Sequence, residues 1–66
     1  MTEHSELLRQ AEVQRNLAEM ARRTLKGLAR PQDRARLAKY ADELDRRAAA
    51  LEQEVMTLQK EHLARG

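Results

Sequence analysis

Apolar residues recur along this chain with the spacing of an α-helix, and β-branched residues, which favour strands, are scarce. The clearest repeat lies in the C-terminal half, where leucines recur every seven residues with smaller apolar residues between them. This C-terminal seam comprises Leu37, Ala41, Leu44, Ala48, Leu51, Val55 and Leu58. Spacing that alternates between four and three residues is typical of a helix that packs along a partner helix. The pattern predicts one long helix here.

A second, broader repeat occupies the N-terminal half. This N-terminal seam comprises Leu7, Ala11, Gln14, Ala18, Ala21, Leu25 and Leu28. Val13, Leu17 and Met20 widen it on one side. Since one partner helix covers a narrower stripe than this, we expect a second copy of the chain to cover these three residues.

A single break separates the two repeats. Proline lacks an N–H and disfavours helical geometry in the residue before it, so Pro31 predicts a junction at Arg30 and a helix that starts at Pro31. Gly27 either caps the first helix or lies in its last turn. We predict one domain over residues 1–66, with helix 1 at about 3–29, a turn at about 29–31 and helix 2 at about 31–64. So short a turn forces the helices to pack antiparallel, as a hairpin.

Length and composition indicate that the hairpin needs a partner. The chain has 66 residues and no cysteine, so it has no disulfide to stabilise a small core. We predict an all-α fold, an antiparallel hairpin of two long helices that forms a homodimeric four-helix bundle. The predicted oligomer interface comprises Leu7, Ala11, Gln14, Leu17, Ala18, Ala21, Leu25, Leu28, Leu37, Ala41, Leu44, Ala48, Leu51, Val55 and Leu58. Gln14, the polar residue of the N-terminal seam, either fixes the register of the dimer or turns towards solvent.

Charge is distributed unevenly along the predicted hairpin. The sequence near the turn is basic and contains one acid, Asp33. The basic residues there are Arg22, Arg23, Lys26, Arg30, Arg34, Arg36 and Lys39. The open end is acidic, with Glu3, Glu6, Glu12, Glu52, Glu54 and Glu61. Electrostatics therefore favour a dimer with its turns at opposite ends. In helix 2, we expect Asp42, Glu43, Asp45, Glu52 and Glu54 to be solvated and supported by Arg46 and Arg47 of the same helix.

The sequence shows none of the usual catalytic arrangements. It has no glycine-rich phosphate loop and no paired nucleophile and base, and His4 and His62 belong to no motif with metal-ligand spacing. We predict that the protein is not an enzyme and uses no metal or cofactor. The N-terminus has no basic segment followed by an apolar run, so we expect a cytoplasmic protein without a membrane partner.

Small residues alternate with leucine along both seams, notably at Ala11, Ala18, Ala41 and Ala48. This architecture resembles the Rop family of plasmid proteins, which are antiparallel dimers of helical hairpins that bind paired RNA hairpins through the outer face of helix 1. The resemblance implies that the same face binds nucleic acid here, and the basic turn lies next to it. The implied contacts are Arg9, Arg15, Arg22, Arg23, Lys26 and Arg30.

A second resemblance covers about residues 18 to 52. Its pattern is the run from Pro31 to Leu37 followed by Tyr40-Ala41, Leu44 and Ala48. It is similar to small uncharacterised helical-hairpin proteins of alphaproteobacteria, and it implies a fold and a bacterial source but no activity. We therefore expect an interaction protein that pairs with itself and presents charged helix faces to another protein. The alternative is a Rop-like regulator that binds RNA or DNA.

Overall fold

The computed structural model describes residues 3–65, and the side chains of residues 3–64. Two helices, α1 (Glu3–Lys26) and α2 (Pro31–Arg65), pack against each other along their lengths. They form a thin rod with Cα extents of 55 × 18 × 10 Å. The predicted all-α helical hairpin is confirmed. The first two residues and the last of the predicted domain lie outside the described range.

The first helix ends earlier than predicted, at Lys26 and not near residue 29. The N–H of Gly27 donates to the carbonyl of Thr24 at 3.0 Å, and the N–H of Leu28 donates to that of Leu25 at 3.1 Å. These bonds span three residues, so the last turn tightens before the chain leaves the helix. Glycine is a poor helix former, which explains an end at this position. The connection therefore comprises residues 27–30, and the predicted turn at 29–31 was too short.

The second helix begins where the sequence predicts. Pro31 is its first residue, and the carbonyl of Arg30 accepts the first helical hydrogen bond from the N–H of Arg34 at 3.1 Å. Proline costs nothing here because the first N–H of a helix has no intrahelical partner. Asp33 lies in the first turn, near the positive end of the helix dipole. The helix ends at Arg65, within one residue of the prediction.

Small side chains dominate the interface between the two helices. The buried apolar residues of the described chain are Ala11, Ala18, Ala21, Ala41, Leu44, Ala48 and Val55. Ala18, Ala21, Ala41 and Leu44 form one cluster, against which Leu37 packs. Alanine allows the helix backbones to approach closely but contributes little apolar area. In residues 3–64, no large side chain is completely buried, so one hairpin has a thin core.

Candidate interaction surfaces

One side of the hairpin carries ion pairs between the helices, and we call it the ion-paired side. Arg15 donates to Glu52 through Nη2 at 2.5 Å and Nε at 3.1 Å, and its Nη1 lies 3.5 Å from Oδ1 of Asp45. Seven residues further along α1, Nη2 of Arg22 lies 2.7 Å from Oδ2 of Asp45 and 3.1 Å from Oδ1 of Asp42. Positions seven residues apart lie on the same face of a helix. Two arginines of α1 therefore hold three carboxylates of α2.

These contacts change the acid–base behaviour of the residues that make them. The hydrogen bond with Glu52 raises the pKa of Arg15, and the bond with Asp45 raises the pKa of Arg22. The hydrogen bond from Arg15 lowers the pKa of Glu52, against a smaller opposing effect of desolvation. Each shift favours the charged form. The contacts place Arg15 of α1 level with the stretch of α2 between Asp45 and Glu52.

The acidic residues of α2 follow the prediction only in part: Asp42, Glu43 and Glu54 are exposed, whereas Asp45 and Glu52 are half-buried. Asp42, Asp45 and Glu52 pair with α1 rather than with Arg46 and Arg47 of their own helix. Of these five acids, Glu43 alone has the expected partner within the described part of α2, with its Oε1 4.0 Å from Nη2 of Arg47. The physical reason is reach: a long arginine side chain beside a narrow alanine seam extends across to the other helix. In the sequence, the feature that indicates these pairs is the seven-residue spacing of Arg15 and Arg22 beside the N-terminal seam.

The other side of α1 is apolar. Val13, Leu17 and Met20, here called the apolar flank, are 49%, 39% and 59% exposed. Val13 and Leu17 each lie two residues from Arg15, and Met20 lies two residues from Arg22. Two residues correspond to about 200° around a helix. The apolar flank therefore lies on the side of α1 opposite the ion pairs, and three neighbouring large side chains there contact water.

The fifteen predicted interface residues divide into three groups by burial. Seven are buried between α1 and α2, as described above, so the hairpin itself covers them. Seven others are half-buried, Leu7, Gln14, Leu25, Leu28, Leu37, Leu51 and Leu58, while Leu17 is exposed. The alanine positions therefore join the two helices, and much of the leucine surface is left for another contact.

Gln14 has an unusual environment within the N-terminal seam. Its side-chain Oε1 is buried and has no hydrogen-bond partner in the described chain, although the residue as a whole is only half-buried. A buried acceptor without a donor costs about 1–3 kcal/mol. His4 Nε2, near the open end of the hairpin, is the other buried side-chain atom without a partner among the described residues. Both atoms lie on α1.

Most of the predicted nucleic-acid contacts already have acidic partners. Besides Arg15 and Arg22, Arg9 pairs with Glu6 at 2.8 Å and Arg23 with Glu19 at 2.6 Å. Lys26 and Arg30 have no carboxylate within 4.0 Å in the part of the chain that the structure describes. Four of the six predicted contacts are therefore paired with carboxylates of α1 or α2. The two without an ion pair among the described residues, Lys26 and Arg30, lie nearer the turn.

Basic and acidic residues without an ion pair lie mainly at opposite ends of the rod. The basic turn, defined as the exposed residues without an ion pair at that end, comprises Lys26, Arg30, Arg34, Arg36 and Lys39. The acidic end, defined in the same way, comprises Glu3, Glu12, Glu54 and Glu61. Both sets are defined among residues 3–64, where two further exposed bases have no ion pair: Lys60 at the acidic end and Arg46 in the middle of α2. The hairpin therefore has a positive end and a negative end.

Within residues 3–65, no group of three or more His, Asp or Glu residues is arranged to hold a metal ion. Neither helix has a stretch apolar and long enough to cross a lipid bilayer over the same residues. No protein-family model, curated protein sequence or solved structure is significantly similar to this chain. The helical hairpin is thus the part of both family resemblances that is confirmed, and the comparisons support neither the Rop family nor an alphaproteobacterial source.

Proposed function

We propose that this chain is a non-enzymatic interaction protein that pairs with itself as a homodimeric four-helix bundle. The apolar flank carries this proposal. Val13, Leu17 and Met20 form a continuous apolar surface beside half-buried leucines, on a chain whose own core is mostly alanine. Exposed apolar patches of this kind are typical of protein interaction sites.

A second copy of the same hairpin suits this surface. Two-fold symmetry places the same patch of each copy against the other, so an apolar flank meets an apolar flank. The half-buried leucines Leu51 and Leu58 of α2 add further apolar area. The four helices then enclose a core that the thin hairpin lacks.

The charge separation supports an arrangement with the two turns at opposite ends. In that arrangement the basic turn of one copy lies beside the acidic end of the other, whereas turns at the same end would bring two basic clusters together. Each contact between exposed charges is weak and is screened by salt. Since five basic and four acidic residues contribute in each copy, the orientation depends on their sum.

Self-association leaves the ion-paired side of the hairpin for a different partner. This side presents arginine and carboxylate groups together with Leu8, which is 50% exposed. Mixed charge with an isolated apolar residue suits the polar rim of a protein interface. We propose a protein partner there, and we retain the expectation of a cytoplasmic protein and, from the second resemblance, of a bacterial source.

A second candidate function is Rop-like binding of RNA or DNA. The observation in its favour is that Lys26 and Arg30 have no carboxylate partner among the described residues and lie within the basic turn. Against it, Arg9, Arg15, Arg22 and Arg23 are all in ion pairs. Phosphate binding would have to compete with these contacts.

Titration of labelled RNA hairpin pairs and duplex DNA at about 50 and 200 mM salt distinguishes the two functions. The protein-partner proposal predicts weak binding that Lys26→Gln combined with Arg30→Gln does not change. The matched control replaces Lys60 and Arg46, which lie away from the basic turn, with Gln. Tight binding that weakens at least tenfold in the higher salt, and that depends on Lys26 and Arg30 but not on the control residues, would favour the nucleic-acid function instead.

A further inference from the structure

Six exposed residues form a stripe along α2, here called the α2 stripe. They are spaced alternately four and three residues apart, which keeps them on one side of a helix. The α2 stripe comprises Arg36, Tyr40, Glu43, Arg47, Ala50 and Glu54. Leu44 packs in the core against α1, and Glu43 and Asp45 lie about 100° to either side of it. Because Asp45 belongs to the ion-paired side, the α2 stripe lies on the other side of the hairpin, together with the apolar flank.

The charges of the α2 stripe match those of a reversed copy. The stripe is centred on residue 45, so a second α2 that runs antiparallel and level with the first brings together positions at equal distances from that residue. The opposed residues are then Arg36 and the partner's Glu54, Tyr40 and the partner's Ala50, and Glu43 and the partner's Arg47. Each base faces an acid, and the tyrosine ring faces the smallest side chain of the stripe. Within residues 3–64, Arg36 and Glu54 have no ion pair, and Glu43 and Arg47 are 4.0 Å apart, so all four can contact a second copy.

The apolar flank is centred at the same height of the hairpin as the α2 stripe. The core cluster places Ala18 and Ala21 of α1 beside Ala41 and Leu44 of α2. About two to three residues further from the turn, Leu17 at the centre of the apolar flank is therefore level with Asp45. A two-fold axis that sets the turns at opposite ends crosses both helices at one height, and it packs α1 on α1 and α2 on α2. The centres of the two surfaces satisfy this requirement independently.

We propose that the α2 stripe is a second contact surface of the homodimer, where it packs antiparallel on the α2 stripe of the other copy. Four ion pairs then join the copies, because each of the pairings Arg36–Glu54 and Glu43–Arg47 occurs twice. This inference rests on the proposed homodimer and names the residues that set its register.

Other arrangements of the two α2 helices bring like charges together. A shift by one heptad in one direction sets Arg36 against the partner's Arg47, and a shift in the other direction sets Glu43 against the partner's Glu54. Parallel helices place each charge opposite its own counterpart. Each exposed pair is weak alone, but like charges penalise the competing registers that an apolar surface tolerates. The apolar flank thus favours association, and the α2 stripe selects one register with the turns at opposite ends.

An exchange of charges between Arg36 and Glu54 tests the contact. The two residues lie about 27 Å apart along α2, so they cannot contact each other within one chain. Arg36→Glu or Glu54→Arg alone sets like charges opposite each other twice in the dimer and should raise its dissociation constant at least about fivefold at low salt. The double variant restores both contacts and should return the constant to within about twofold of the parent chain. Sedimentation velocity over a concentration series measures these constants.

A second double variant controls for net charge. Arg34 lies about three full turns before Asp45, so it is on the ion-paired side, away from the α2 stripe. Arg34→Glu combined with Glu54→Arg has the same net charge as the exchanged double variant but leaves Arg36 facing a like charge. This control should therefore dimerise as weakly as Glu54→Arg alone. Arg34, Arg36 and Glu54 are all exposed, so every variant keeps the core of the hairpin.

The outcomes separate this contact from the homodimer itself. Recovery in the exchanged double variant but not in the control supports the α2 stripe. Equal recovery in both double variants, no recovery in either, or single variants that dimerise like the parent would overturn the contact while the dimeric parent leaves the homodimer standing. A parent chain that is monomeric at every concentration would overturn both.

Discussion

A substitution at Leu17 distinguishes most clearly between a monomeric hairpin and a dimer of hairpins. In one chain its side chain is 39% exposed, and leucine and glutamate have similar helix propensities. Leu17→Glu should therefore keep the helices of an isolated hairpin and cost it at most about 1–2 kcal/mol, for the apolar contact that the covered part of Leu17 makes within its own chain. If the apolar flank is the contact between copies, the same substitution places two carboxylates in an apolar interface.

The size of the effect follows from the exposed fraction. Burying a leucine completely contributes about 1.5–3 kcal/mol, so the 39% still exposed corresponds to about 0.6–1.2 kcal/mol in each copy. An unpaired carboxylate that loses its water adds a penalty of several kcal/mol. Two copies together should lose more than about 3 kcal/mol of association free energy. The dissociation constant should then rise at least about 100-fold.

Sedimentation velocity over a concentration series measures this change, and Leu8→Glu is the matched control. Leu8 is 50% exposed and lies seven residues before Arg15, on the ion-paired side. The control introduces the same charge in the same helix but away from the apolar flank. We expect Leu8→Glu to dimerise like the parent chain and Leu17→Glu to sediment as a monomer at the same concentrations.

The comparison can fail in two informative ways. A Leu17→Glu variant that dimerises as tightly as the parent would show that the apolar flank is not the interface. Equal loss of dimer in both variants would place the contact elsewhere on α1 or reveal a general effect of added charge. Either result would show that the exposed apolar side chains of the apolar flank do not drive self-association.

Three further predictions concern the stability of the hairpin. Leu44→Ala removes the largest buried side chain of the core. In a denaturant titration it should lower the free energy of unfolding by about 2–5 kcal/mol. A loss below about 1 kcal/mol would contradict the place of Leu44 in the core. Gly27→Ala adds a Cβ at a position with ordinary contacts and no positive φ. The substitution should therefore raise the free energy of unfolding by about 0.4–1 kcal/mol. A lower free energy of unfolding would mean that the connection requires glycine. The pKa of Glu52 is lowered in the folded chain, so its ion pair stabilises the fold above the unfolded-state pKa, and that contribution is lost as the pH falls through the lowered value. Arg15→Gln should therefore make stability less sensitive to pH in the acid range, and an unchanged acid dependence would show that Arg15 does not set this pKa.

The hairpin could be predicted from the sequence because its signals are local and strong. Pro31 excludes a continuous helix and fixes the start of α2, and the seven-residue leucine repeat defines the seam on that helix. The end of α1 was less predictable. Glycine lowers helix stability by only about 1 kcal/mol relative to alanine, so Gly27 could equally have stayed inside the last turn.

The ion pairs between helices required information that one helix does not contain. Whether Arg15 reaches Glu52 depends on the register of α1 against α2, and the length of the connection at residues 27–30 sets that register. Spacing within α2 suggested pairs such as Glu43 with Arg47, whereas the contacts across the seam are shorter. The unpartnered oxygen of Gln14 likewise appears only once the packing of α2 against α1 is known.

The most direct test of self-association is the solution mass by light scattering over a dilution series, with helicity followed by circular dichroism on the same samples. A homodimer joined through the apolar flank should have twice the mass of the 7.6 kDa chain at high concentration, and its helicity should fall as it dissociates. A fully helical monomer of 7.6 kDa at every concentration would contradict it, because the apolar flank would then be stable in water without a second copy.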